Sequence, residues 1–365
     1  TTQNPDAPQY GGTIRFAWGT TLYFDPLISS IGGGTADMAY EKLVEADWGK
    51  GPGGTNEFSF GTSWVAPQYQ TGQIAESWQI VDLNTMTLTI RQGIRFQNKA
   101  PANGKVLTAN DVVYTYQRGQ KDTRFVFYSF VDWTNTAGLD KARTDAKAAG
   151  RTDAQFDAWV AYLKSVNYPF YSTKSCIAKD KWTVEYRMLN ANKPIFEDAA
   201  WFFIESSEGA TYDMQNWKNA CGTGPWIVSD VVADSSVTWA KNPNYWMKDP
   251  VHPENQLPYL AGEIGIIIPD AKVAQSALRT HKIDFMSVDW DIAIQMKASN
   301  PEFLSRTISP PGACVMFMRT DIAPFSDVRV RQAIAMGIDR DAIVRDYYKG
   351  NAFVDAWPVL PGLPA

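Results

Sequence analysis

Segments in which apolar and polar side chains alternate with a period of two recur along the whole sequence, and helical repeats lie between them. Alternation puts one set of side chains on each face of a strand, so the chain must build half-buried sheets and cover them. Residues 10–18, entered by a Gly-Gly turn, 74–80, 86–91, 182–188, 223–228 and 236–240 read as strands, with Asp82-Leu83-Asn84 turning 74–80 into 86–91. The continuously apolar run 264–268 predicts a strand buried on both faces. Residues 315–318 predict one more. Thr35 predicts the cap of a short helix with Met38, Leu43 and Val44 on its apolar side. Thr108, with Asp111 three residues on, predicts another helix start. Two surface helices are expected in 139–165, parted near Gly150, and one more over 271–278. A long helical stretch over 328–348 should break at Gly337-Ile338-Asp339, with Asp339 capping its second half. Intermixed strands and helices place the chain in the α/β or α+β class.

The 365 residues suit two to three structural units, and 45% hydrophobic with 20% charged residues supplies a sizeable core. A net charge of −5 offers no cationic excess for phosphates, which argues against nucleic acid as a partner. No apolar run approaches the about 20 residues of a membrane span. Two histidines, His252 and His281, and no Cys-x-x-Cys pair leave no metal site to propose. The polar, Pro-containing start 1–9 reads as a mature protein freed of its targeting segment, or as the loose start of a cytosolic one.

No enzyme constellation is visible. The Gly-rich stretch 49–54 lacks the Gly-Lys-Ser/Thr ending of a phosphate loop, and Gly222-Thr223-Gly224 lacks the third glycine of a dinucleotide fingerprint. With 39 acids, a hydrolase carboxylate pair stays open as a rival reading, and a scaffold role is a third. Two readings also stand for Cys176, Cys221 and Cys314: one bridge between Cys176 and Cys221, or three buried thiols. Aromatics make up 13% of the chain, including 14 Trp, and serve either a core or stacking on sugars.

Five groups of motifs, in order, resemble the family 5 extracellular solute-binding proteins, the oligopeptide and dipeptide receptors of ABC importers. They are Tyr10-Gly11-Gly12-Thr13 with Asp25-Pro26; Ile74-Ala75-Glu76-Ser77-Trp78 running through residues 88–96 into Leu107-Thr108-Ala109-Asn110-Asp111; Gly222-Thr223-Gly224-Pro225-Trp226 with Asn242-Pro243-Asn244-Tyr245-Trp246; Leu257-Pro258-Tyr259-Leu260 with residues 278–284; and residues 324–334 with Ile338-Asp339-Arg340. The resemblance implies an α/β, periplasmic-binding-protein-like bilobal fold of class II with an extra subdomain. Lobe I would comprise 1–42 and 197–265, with a subdomain at 43–196 carrying insertions near 49–72 and 133–175. Lobe II would begin at 266 and be incomplete at 365.

The resemblance further implies a substrate-binding receptor that traps an oligopeptide between its lobes without cofactor or catalysis. It would act as a monomer and hand the solute to an ABC permease, in the periplasm or outside the cell on a lipid anchor. The aromatic content keeps an oligosaccharide as the alternative solute. Ser30, Ile31 and Gly32 correspond to a loop whose backbone touches ligand, or form an ordinary strand–helix loop. Arg124, Phe127 and Tyr128 fall in a cleft-facing stretch, with an aromatic near Tyr128 stacking on ligand; packed core aromatics are the competing account. Asp289 and Trp290 would face the cleft from lobe II, or serve as a capping acid and a packed ring.

Overall fold

A computed structural model of the chain describes residues 8–18, 23–27, 36–58, 67–121, 140, 143–144, 146–148, 150–165, 173–188, 202–306, 316–320 and 322–354. These divide between two compact units, Thr1–Asp47 with Gln70–Met286, and Trp48–Tyr69 with Ser287–Ala365.

The first unit holds two four-stranded sheets. One is built from β1 (Thr13–Trp18), β8 (Trp226–Val232), β9 (Ser236–Lys241) and β10 (Gly262–Ile267) in the order β1-β10-β9-β8. β1 runs parallel to β10 with Phe16 opposite Gly265, and the other pairs are antiparallel. The second sheet, β4-β5-β7-β6, is antiparallel: β4 (Ala75–Asp82), β5 (Thr85–Ile90), β6 (Thr173–Ala178) and β7 (Thr183–Met188). A small ribbon pairs β2 (Val44–Ala46) with β3 (Gln70–Gly72). The hairpin expected around residues 82–84 is thus present.

Short helix α1 (Ala36–Ala39) precedes the ribbon, and α2 (Ala109–Lys121) packs on the second sheet. Its start follows the cap spacing: Asp111 Oδ2 accepts from the Thr108 backbone N–H at 3.0 Å and from the Thr108 hydroxyl at 3.1 Å. Ala109, Val112 and Tyr116, on one face of α2, enter a core with Leu88, Ile90, Val184, Tyr186 and Phe202. Each large side chain there contributes about 1.5–3 kcal/mol of burial. The other sheet has its own core, with Phe24, Tyr40, Val228, Val237 and Trp239. Helices α3 (Asp153–Ser165) and α4 (Ala271–Arg279) follow, the latter capped by Asp270.

The motif groups are the fasteners of this unit. Tyr10 bonds Gln256 in both directions, its hydroxyl donating to the carbonyl at 2.9 Å and accepting from the N–H at 2.8 Å, and the Gly11 N–H donates to the Tyr259 carbonyl at 2.9 Å, so the first and fourth groups meet. Gly222 and Gly224 lie against the Ala39–Tyr40 backbone, where an added Cβ at Gly222 would stand 2.1 Å from the Ala39 carbonyl oxygen. Gln97 Nε2 donates to the Trp226 carbonyl at 2.8 Å, and Asn242 Nδ2 to the Gly224 carbonyl at 3.0 Å.

In the second unit, α5 (Trp290–Ser299), α6 (Val328–Gly337) and α7 (Arg340–Ala342), which passes into a π-helical turn Ile343–Tyr347, each follow an aspartate. Asp339 Oδ1 accepts from the Ala342 N–H at 2.8 Å, as the break at 337–339 requires.

Four expectations are corrected. The helix after Thr35 ends at Ala39, and Val44 belongs to a strand because pairing with Gly72 and a β-branched side chain favour it there. Ile264, Ile266 and Ile267 are half-buried, since coverage of a strand is set by its neighbours and not by its own apolarity. Residues 316–318 form no strand, and Met316 and Phe317 are exposed; with no partner strand among the described residues, their pattern alone does not make one. Cys176 and Cys221 are both buried and free: Cys176 sits on β6 opposite Tyr186, whereas the Cys221 Sγ lies against the carbonyls of Gln97 and Lys99 at 3.4 and 3.3 Å. Burial pushes the Cys176 thiol up to about 12 and raises that of Cys221, which keeps both protonated and inert. Cys314 lies outside the described residues.

Candidate solute-binding site

Of the residues expected to touch a solute, Ser30, Ile31, Gly32, Arg124, Phe127 and Tyr128 lie outside the described residues. Asp289 and Trp290 are described. Asp289 is exposed and precedes the first turn of α5 without a side-chain hydrogen bond to it, and Trp290 is half-buried as the first residue of that helix.

The described chain on which two of these segments are rooted carries a cluster that sequence reasoning did not find. Asp25 and Arg118 precede residues 30–32 and 124–128, and they form a two-pronged ion pair. Arg118 Nη1 donates to Asp25 Oδ1 at 3.0 Å and Nη2 to Oδ2 at 2.7 Å. The same Nη1 donates to Glu205 Oε2 at 2.5 Å. Both carboxylates are essentially solvent-free, at 3% and 0% side-chain exposure, and Arg118 is 20% exposed. Burial alone would lower the arginine's affinity for its proton, but Glu205 and Asp25 outweigh it and raise the pKa well above the usual arginine value. Thr115 ties the cluster to α2, accepting from the Glu205 N–H at 3.0 Å. Asp25 Oδ1 also accepts from the Leu27 N–H at 3.1 Å, which turns the chain after Asp25-Pro26. The arrangement therefore ties residues 23–27 and 202–206 to the last turns of α2.

A second buried acid, Glu41, forms no ion pair among the described residues. Glu41 Oε1 accepts from the Tyr245 hydroxyl and Oε2 from Trp246 Nε1, each at 2.8 Å. Burial pushes its pKa up to about 7, against the pull of the neighbouring Thr223, Trp246 and Tyr245 side chains and the Arg91 charge. Arg91 itself lies over the Trp246 ring, 5.1 Å from its centroid. Tyr245 is buried, and Trp246 is half-buried against the core. No group of three His, Cys, Asp or Glu suited to a metal occurs among the described residues. No helix among them is long and apolar enough to cross a membrane.

Residues 70–365 match the family described as bacterial extracellular solute-binding proteins, family 5 Middle, and the chain belongs to that family. The dipeptide-binding protein of Escherichia coli (strain K12) is 26% identical over 317 residues, covering 84% of this chain and 51% of its own length. The chain thus spans about half the length of the curated relatives it matches. Among solved structures, the periplasmic binding protein DppA from Helicobacter pylori in complex with the peptide STSA aligns with a TM-score of 0.63 at 22% identity, over 94% of this chain and 59% of that one. AppA from Bacillus subtilis in complex with a nonapeptide gives 0.62 at 19% identity, over 97% and 59%. The fold is accordingly the α/β fold of the bilobal periplasmic binding proteins, as the motifs implied. The family is one of binding proteins rather than enzymes.

Proposed function

We propose that this polypeptide is the solute-capturing part of an ABC importer's receptor, taking an oligopeptide-like solute between lobes that close around it and delivering it to a membrane permease. The observation that carries this reading is the family match over residues 70–365, supported by a dipeptide-binding relative and by neighbours solved with peptides bound. The lobe limits are 42/43, 196/197 and 265/266. Ser30, Ile31 and Gly32 contact the solute from lobe I, Arg124, Phe127 and Tyr128 from the subdomain inserted in it, and Asp289 and Trp290 from lobe II. The Asp25–Arg118–Glu205 cluster suits this role, because a binding loop is only as well placed as the chain on which it is rooted. The receptor works as a monomer in the periplasm or outside the cell, held there by a lipid anchor in the latter case.

The test is thermal unfolding and native mass spectrometry of the full chain with dipeptides, a nonapeptide and mannohexaose. A bound peptide should be retained chemically unchanged and, at about 100 times its Kd, stabilise the fold by about 2.7 kcal/mol. Tyr128→Ala should weaken that binding roughly tenfold. Stabilisation by mannohexaose alone would replace the peptide reading with the oligosaccharide one. Cleavage of the peptide would replace the receptor with a hydrolase.

A further inference from the structure

Glu41 is 1% exposed, and its two donors leave from one short turn, Asn242 to Met247. The Tyr245 hydroxyl has a second acceptor within reach, the Met247 Sδ at 3.5 Å. These atoms allow two complete bonding patterns. With the carboxylate charged, Tyr245 O–H and Trp246 N–H both donate to Glu41. With a proton on Oε1, the Glu41 O–H donates to the Tyr245 oxygen, the tyrosine proton turns to the sulfur, and Trp246 still donates to Oε2. No donor of Glu41, Tyr245 or Trp246 is stranded in either state, so these three side chains need not separate when the charge disappears.

The charged and titratable groups around Glu41 are engaged elsewhere. Arg91, at the end of β5, donates to the Gln73 carbonyl at 3.2 Å and covers the Trp246 ring. Lys42 lies over the Phe203 ring at 4.5 Å. Glu45 on β2 accepts from Gln73 Nε2 at 2.9 Å, and Glu205 on the 202–206 segment is held by Arg118. Tyr40 accepts from the Cys221 N–H at 3.1 Å. Among the described residues, then, no cation forms an ion pair with Glu41 that would lock it in the charged state.

We propose that Glu41, Tyr245 and Met247 form a proton-operated joint between the stretch leading into β2 and the 242–247 turn, in which uptake of one solvent proton reverses the Glu41–Tyr245 hydrogen bond. The desolvation described above sets its working range near neutrality. The joint goes beyond solute capture and does not depend on which solute is taken. For a receptor facing the outside medium, it would couple this turn to the acidity of that medium.

The full chain with 15N-labelled tryptophan tests it directly. The indole N–H resonance of Trp246, identified by its loss in Trp246→Phe, should shift between about pH 5 and about pH 8.5 with a midpoint near 7. In Glu41→Gln it should stay still. In Tyr245→Phe, which removes a donor from the anion, the midpoint should rise. The group should also make the unfolding constant larger at the alkaline end, by up to roughly 100-fold. A Trp246 resonance that is constant across this range in the folded wild type overturns the proposal. So does an unchanged titration in Glu41→Gln, and where that variant does not fold, an unmoved midpoint in Tyr245→Phe does the same.

Discussion

The first unit buries two acid clusters of opposite design. Around Arg118, two buried carboxylates share one guanidinium, whose positive charge offsets the cost of taking them out of water. Around Glu41, one carboxylate faces a phenol, an indole and no ion-paired cation, so charge is bearable there only while hydrogen bonds replace water. The contrast teaches that burial does not determine what an acid does. A cation converts it into a permanent tether, whereas neutral donors leave it free to titrate.

The sign of the linkage follows. The Glu41 pKa is raised from 4.5 to about 7 on folding, so its contribution to stability is fully present below the unfolded value and is lost as pH rises through about 7. Arg118, whose pKa is raised above a value already beyond reach, gives no such window.

The comparison breaks first, and hardest, at Arg118. Arg118→Met leaves two buried carboxylates without their cation and should cost about 3–5 kcal/mol in urea unfolding. A loss under 1 kcal/mol would mean that water already reaches the cluster. Trp246→Phe should cost about 1–3 kcal/mol above the Glu41 midpoint, where the anion loses a donor, and clearly less at about pH 5. Equal losses at both pH values would show that the indole matters by packing alone. The smallest effect belongs to a solvated counterpart, Arg15 with Asp284, whose guanidinium and carboxylate meet at 3.0 Å with side chains 42% and 36% exposed. A double-mutant cycle through Arg15→Ala and Asp284→Asn should return only a small coupling, which shrinks with added salt. A larger coupling would mean that this pair, which links β1 to residue 284, is shielded in solution.

How far the sequence reaches can be judged from these same residues. Thr108 and Asp111 announce a helix start because the cap spans three residues, and the structure forms that bond. The 74–91 hairpin and the break at Asp339 were legible for the same reason, since turns and caps are closed by near neighbours. Asp25, Arg118 and Glu205 carry no such signal: their bonds span 93 and 87 positions, and each residue alone looks like an ordinary surface charge. Glu41 was missed likewise, although its partners stood inside a recognised motif. That the glycines of Gly222-Thr223-Gly224 lie against Ala39 is likewise a fact of packing. The proposed contacts at 30–32 and 124–128 rest on resemblance alone.

What the sequence determined by itself is therefore local: strand period, helix starts, turns, and through the ordered motifs the family. What the tertiary structure decided is which charges are buried and with whom. Val44 went to a strand, Ile264 stayed half-covered and Cys221 stayed free because long-range partners, not neighbours along the chain, set their surroundings. Local order is encoded over a few residues, where backbone geometry restricts the choices. The state of a buried carboxylate depends on the dielectric and the donors around it, and only the folded chain brings those together.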